Sequence, residues 1–117
     1  MIPDELEYAI REFWPEQEWE NARNISRLES GWDAFAVRNT TSPDYPCGSQ
    51  LTSSGGVTIT TELSVGYFQI NMCNFPGWEW QRLYNGRHNA GTAHMLWAVA
   101  GNRWTPWYFS ARALGLL

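Results

Sequence analysis

The sequence has no lysine, only two cysteines and no apolar run longer than Met95–Ala100. The last of these absences excludes a membrane-spanning helix, which needs ~20 consecutive apolar residues. The opening Met1-Ile2-Pro3-Asp4-Glu5 is acidic where a secretory leader is basic and then apolar, so no export peptide is expected in this chain. Two cysteines do not make a disulfide framework, and a chain of 117 residues does not need one, since it buries roughly two thirds of its unfolded surface on folding. Cys47 and Cys73 have two possible states: a disulfide worth about 3 kcal/mol in an oxidising compartment, or two free thiols in a reducing one. Zinc is not expected, because neither the cysteines nor His88 and His94 form the close pairs of a structural site. A Gly-x-Ser-x-Gly nucleophile elbow is also missing; around Ser64 the first position is Glu62.

Basic residues are scarce as well: 8 against 12 acidic ones, for a net charge of −4 and a pI near 5.0. Asp4, Glu5, Glu7, Glu12, Glu16, Glu18 and Glu20 crowd the N-terminal region. Nucleic-acid affinity rests on neutralising phosphates, so a nucleic-acid partner is not expected. Tryptophan, in contrast, is abundant. Eight in so short a chain exceed the needs of a core, because the indole is large and its N–H seeks a partner. Some are expected to line a cleft, where flat apolar faces flanked by polar groups suit sugar rings. With 44% hydrophobic and 17% charged residues, the chain reads as one globular domain over 1–117.

Pro3 opens a short helix through Phe13, with Asp4, Glu5 and Glu7 near its positive end. From Glu16, the spacing of Trp19, Ala22, Ile25 and Leu28 predicts an amphipathic helix ending at Ser30-Gly31. Arg38 to Gly56, rich in Thr, Ser, Pro, Asn and Gly, reads as a long loop or irregular hairpin. Strands are predicted over Val57–Thr61 and Ser64–Met72, pairing with each other. A turn at Asn74–Gly77, a helical turn over Trp78–Leu83 and a buried helix over Asn89–Ala100 follow. Trp104-Thr105-Pro106-Trp107 breaks regularity before a terminal helix over Phe109–Leu114. His94 reads as a packed core residue and His88 as a solvated loop residue.

Glu29 falls in the last turn of its helix, where the dipole disfavours an ionised carboxylate. A glycosidase needs a carboxylic acid held protonated, with a second group handling the anomeric charge. Glu29 suits the acid's role, and indoles at Trp104 and Trp107 are available to desolvate it.

Three segments in order carry a resemblance: Arg27-Leu28-Glu29-Ser30-Gly31-Trp32; Gly66-Tyr67-Phe68-Gln69-Ile70-Asn71; and Asn89-Ala90-Gly91-Thr92-Ala93 followed by Gly101-Asn102-Arg103-Trp104-Thr105-Pro106-Trp107. Over about residues 20–110 the chain resembles the lysozyme superfamily, in particular the soluble-lytic-transglycosylase-like domains common in phage. The resemblance implies an α+β lysozyme-like fold, with helices around a small antiparallel sheet and a substrate cleft. It implies cleavage of the β-1,4 bond between N-acetylmuramic acid and N-acetylglucosamine in peptidoglycan, with Glu29 as acid and then base.

By the same resemblance Ser30, Gln69 and Asn71 orient the acid or hold an N-acetyl sugar, and Ser64 and Tyr67 belong to the substrate-binding set. Trp104 matches an indole packed over the catalytic carboxyl, Trp107 its neighbour, and Trp78 and Trp80 fall where sugar rings stack. No metal or cofactor is implied. The partner is bacterial peptidoglycan or another N-acetylated glycan, met in the periplasm or outside a bacterial cell. Animal-type lysozymes carry Asp at the position of Ser64, which disfavours a retaining route. Glu62, two residues further back, lies on the same strand face if the strand is regular and is the candidate auxiliary base. The alternatives are a non-catalytic glycan-binding module on the same fold, and a peptidase using Cys47 or Cys73 with a histidine.

Overall fold

Pro3, with φ at −61°, stands at the entrance to α1 (Asp4–Phe13) in the computed structural model, which describes residues 1–52 and 58–117. The helix buries Leu6, Ala9 and Ile10 and turns its acids outward. Glu7 accepts hydrogen bonds from Arg11 Nε and from both Nε and a terminal nitrogen of Arg23, each at 2.6 Å, fastening α1 to α2 (Trp19–Ser30). The Arg23 and Arg11 guanidiniums hold the Glu7 carboxyl down at about 2. The helix expected from Glu16 is divided: Glu16–Glu18 form a 3₁₀ turn, and α geometry starts at Trp19. It ends as read, with Gly31 at φ +62° and its N–H bonded to the Arg27 carbonyl.

Among the described residues, four α-helices and a three-stranded antiparallel sheet form an α+β architecture. The sheet runs β1 (Val37–Asn39), β4 (Leu63–Val65), β5 (Ile70–Asn71), with β4 in the middle. A separate hairpin pairs β2 (Gln50–Thr52) with β3 (Thr58–Thr60). Two expectations are corrected. The strand predicted over Val57–Thr61 pairs back into the stretch read as loop, not with Ser64–Met72; Val57 and Gly56 lie outside the described residues. Ser64–Met72 is not one strand: it reverses between Gly66 (φ +79°) and Gln69 (φ +48°), so that β4 and β5 pair with each other.

That reversal, residues 66–69, is bound from three sides. Gly66 N–H and the Gln69 side-chain amide both donate to the Ala36 carbonyl, at 2.8 and 3.0 Å. The fully buried Asn89 of α3 (Gly86–Val99) accepts from Phe68 N–H at 2.9 Å and donates to the carbonyls of Val65 and Leu83. Trp107 Nε1 donates to the Phe68 carbonyl at 2.7 Å, just before α4 (Tyr108–Ala113). The approach is so close that a Cβ on Gly66 would meet Asn89 Nδ2 at 2.3 Å and the Leu83 carbonyl oxygen at 2.5 Å. Phe68 itself is fully buried.

The later helices differ from expectation at their ends. Asn85, accepting from His88 N–H, caps α3 before the predicted start at Asn89, and Met95 and Val99 are exposed, so the helix is not buried on all sides. His88 therefore sits in the first turn of a helix rather than in a loop. The helical turn near Trp78–Leu83 is a 3₁₀ segment at Trp80–Tyr84, and α4 begins at Tyr108 rather than Phe109. Trp14, Trp97, Trp104 and Trp107 are core residues: Trp14 stacks on Trp104 with centroids 5.5 Å apart, and Trp104 is tilted against Trp107 at 5.5 Å. His94 packs against Phe13, Trp14 and Trp97 but is only half-buried, at the margin of the core. Cys47 and Cys73 form a disulfide, tying the segment before β2 to the 3₁₀ turn after β5. No helix among the described residues is long and apolar enough to cross a membrane.

Replacing Asn89 with Leu strands three buried backbone groups and is expected to cost about 3 kcal/mol or more, whereas Asn85→Ala, losing one exposed cap, costs ~1 kcal/mol; urea unfolding of both variants measures the difference. Reduction of the disulfide is expected to lower stability by about 3 kcal/mol, seen as an earlier unfolding midpoint with reductant than without.

Candidate active site

The last turn of α2 brings Glu29, half-buried, to a position beside α4, where the Ser110 hydroxyl donates to Glu29 Oε2. Burial pushes the Glu29 carboxyl above the ordinary carboxylate range. The nearby charge of Glu62 pushes the same way, while the Ser110 hydroxyl and the Arg38 guanidinium oppose the rise. The desolvation is not the work of Trp104. That indole donates to Glu18 Oε2 at 2.8 Å, at the other end of α2.

Glu62 belongs to a polar row on the sheet. Arg38, Ser64 and Asn71 are direct cross-strand partners on β1, β4 and β5, so their side chains share one face. Val37, Val65 and Ile70 form the adjacent row, in which Val65 and Ile70 are buried in the core. Glu62, two residues before Ser64, accepts the Ser64 hydroxyl at 2.6 Å and is ion-paired with Arg38 Nε at 3.1 Å. The strand face inferred for Glu62 is thus the observed one. Glu29 and Glu62 influence each other electrostatically from unlike settings, one half-buried against the Ser110 hydroxyl and one held by the Ser64 hydroxyl and the Arg38 guanidinium.

Several expected binding residues serve the framework instead. Ser30 Oγ donates to the Ser26 carbonyl and accepts from Trp32 N–H, closing α2. The Gln69 amide is committed to the Ala36 and Gly66 carbonyls, and Asn71 Oδ1 to the N–H groups of Leu63 and Cys73. Tyr67 is buried, its hydroxyl pushed up to about 12 by that burial and by the Glu5 carboxylate beside it. Trp104 and Trp107 are 4% and 5% exposed and offer no open ring face, a correction to their expected contact with substrate. Ser64 is also buried, and its hydroxyl is committed to Glu62, so of this group Glu62 alone stays near Glu29.

The open aromatics lie elsewhere. Trp78 is 46% exposed, stacks on Phe75 at 4.5 Å, and with Trp80, Leu63, Met72 and the disulfide lines a hollow of about 300 Å³. Leu63 precedes Ser64 on β4 and side chains alternate along a strand, so this hollow opens on the face of the sheet opposite Ser64 and Glu62. A larger hollow of about 560 Å³, lined by Glu18, Asn21, Trp104 and Tyr108, lies at the opposite end of α2 from Glu29. With both cysteines in the disulfide, neither is a free thiol nucleophile, and the cysteine-peptidase alternative loses its reactive group.

Arg38 and Ser110 were missed in the sequence. Arg38 becomes visible only through strand register, and a serine in a short helix carries no local signal. Comparison with family profiles, curated proteins and solved structures finds no match to this chain.

A carboxyl whose pKa is raised by folding adds stability that is complete below the unfolded carboxylate pKa and is lost as pH rises through the folded value. Glu29→Gln, which keeps an oxygen for Ser110 but cannot ionise, is therefore expected to be more stable than the wild type at neutral pH and no more stable below the carboxylate range. Thermal unfolding of both proteins across that interval measures the crossover.

Proposed function

We propose that this chain is a lysozyme-like muramidase that cleaves the β-1,4 bond between N-acetylmuramic acid and N-acetylglucosamine in peptidoglycan. The observation that carries the reading is the half-buried Glu29 carboxyl, raised by burial and set near a second carboxylate that has its own arginine. Burial that favours the neutral form of one carboxyl, with a second carboxylate nearby, is what an acid held protonated requires. The order of the Glu29 helix end, the Gly66 reversal and the Asn89 helix is the order that the resemblance requires.

In the first step Glu29 gives its proton to the glycosidic oxygen as the C1–O bond breaks and its electron pair leaves with that oxygen. In a transglycosylase the muramic 6-hydroxyl then bonds to C1 while carboxylate Glu29 takes its proton, which restores the acid. In a hydrolase water bonds to C1 instead, Glu62 takes its proton as auxiliary base, and solvent returns a proton to Glu29. The Cys47–Cys73 disulfide favours work in the oxidising space where the wall lies.

Mass spectrometry of fragments released from peptidoglycan by the wild type and by Glu29→Gln tests the reading. Fragments from the wild type only are expected, the mutant losing about 10³-fold or more in rate. Reducing muramic ends identify water as the acceptor, and anhydromuramic ends the 6-hydroxyl. If neither protein releases fragments while both bind the wall, the enzyme reading falls and a glycan-binding module replaces it.

A further inference from the structure

We propose that Ser110 is a positioning residue that decides which oxygen of Glu29 carries the transferable proton. The inference rests on the reading of Glu29 as the acid and adds to it a part that no sequence motif supplies. Ser110 is buried on α4, and its hydroxyl donates to Glu29 Oε2. Glu29 Oε1 makes no hydrogen bond among the described residues. An oxygen already receiving a donor is the poorer site for a proton, so the carboxylic acid is protonated at Oε1. That is the oxygen left free to hand its proton on. Once it has done so, the same hydroxyl steadies the carboxylate, which must then regain a proton.

The placement of the hydroxyl depends on structure far from it in sequence. Trp107 is pinned to the Phe68 carbonyl, and α4 starts at the next residue, so the 66–69 reversal fixes where Ser110 meets α2. The other charges bearing on Glu29 are Glu62 and Arg38, both on the sheet side, and they act through space rather than on a chosen oxygen. Ser110 is the group that tells the two oxygens apart.

The test compares the wild type, Ser110→Ala and Ser110→Thr by carbon-13 NMR titration of the Glu29 carboxyl, with Glu29→Gln assigning the signal, and by pH–rate profiles on peptidoglycan. Loss of the donor is expected to raise the Glu29 midpoint and move the alkaline limb of the profile upward with it. It is expected to lower kcat roughly tenfold with KM nearly unchanged, and Ser110→Thr, which keeps a hydroxyl, should recover the wild-type midpoint. Melting curves identify any variant that loses activity by unfolding, and the titration is then read on the folded one. A wild type that cleaves while Glu29 titrates identically with and without the hydroxyl overturns the role of Ser110 alone. A wild type that cleaves nothing, although Ser110→Ala moves the midpoint, overturns the muramidase reading and the use of the proton with it.

Discussion

The structure depends on the reversal at residues 66–69, where one short stretch of backbone is held by β1, α3 and the entrance to α4 together. Its polar groups are buried, so each must be paired, and the pairing is supplied by Asn89, by the Ala36 carbonyl and by the Trp107 indole. Because the contacts come from distant parts of the sequence, satisfying them assembles the molecule. The Ala36 bonds set β1 and hence Arg38 opposite Ser64. The Trp107 bond sets α4 and hence Ser110 against Glu29. Both halves of the candidate site are therefore positioned by the same four residues, none of which need touch a ligand.

This arrangement explains what was legible in the sequence. Helices α1 and α2 were readable because their signals are local: Pro3 and acids at one end, an apolar stripe, and Gly31 at the other. The place of Glu29 at the end of α2 was readable for the same reason, while the role expected of it came from the resemblance. The sheet was misread because Gly66 and Gln69 break a run whose composition is that of a strand, and only the tertiary contacts on Gly66 explain the break. Polar residues of the Gly66–Asn71 segment suggested ligand binding, but most of their groups are engaged in holding backbone. The tryptophans misled in a similar way. Four of them pack against one another in the core, and indole count alone does not separate core from cleft.

The two carboxylates owe their difference to the elements that carry them. Glu29 projects from a helix end into a space shared with α4, where water is partly excluded and a neutral hydroxyl is its nearest partner. Glu62 leads into a middle strand whose neighbour presents an arginine in register. A helix terminus and a strand edge thus give one residue type two chemical characters at a single site. The Cys47–Cys73 disulfide lines the hollow under Trp78, so the aromatic surface there is covalently braced.

The Glu7 clamp adds a property of the scaffold as a whole. Its carboxyl titrates at about 2, far below the raised range of Glu29, and its stabilisation is lost only as pH falls through that low value. The bond between α1 and α2 therefore stays charged across the whole interval in which Glu29 gains and loses its proton. The helix that carries Glu29 is moored by an anchor indifferent to the protonation of Glu29, so a change of charge at that carboxyl leaves the surrounding frame in place.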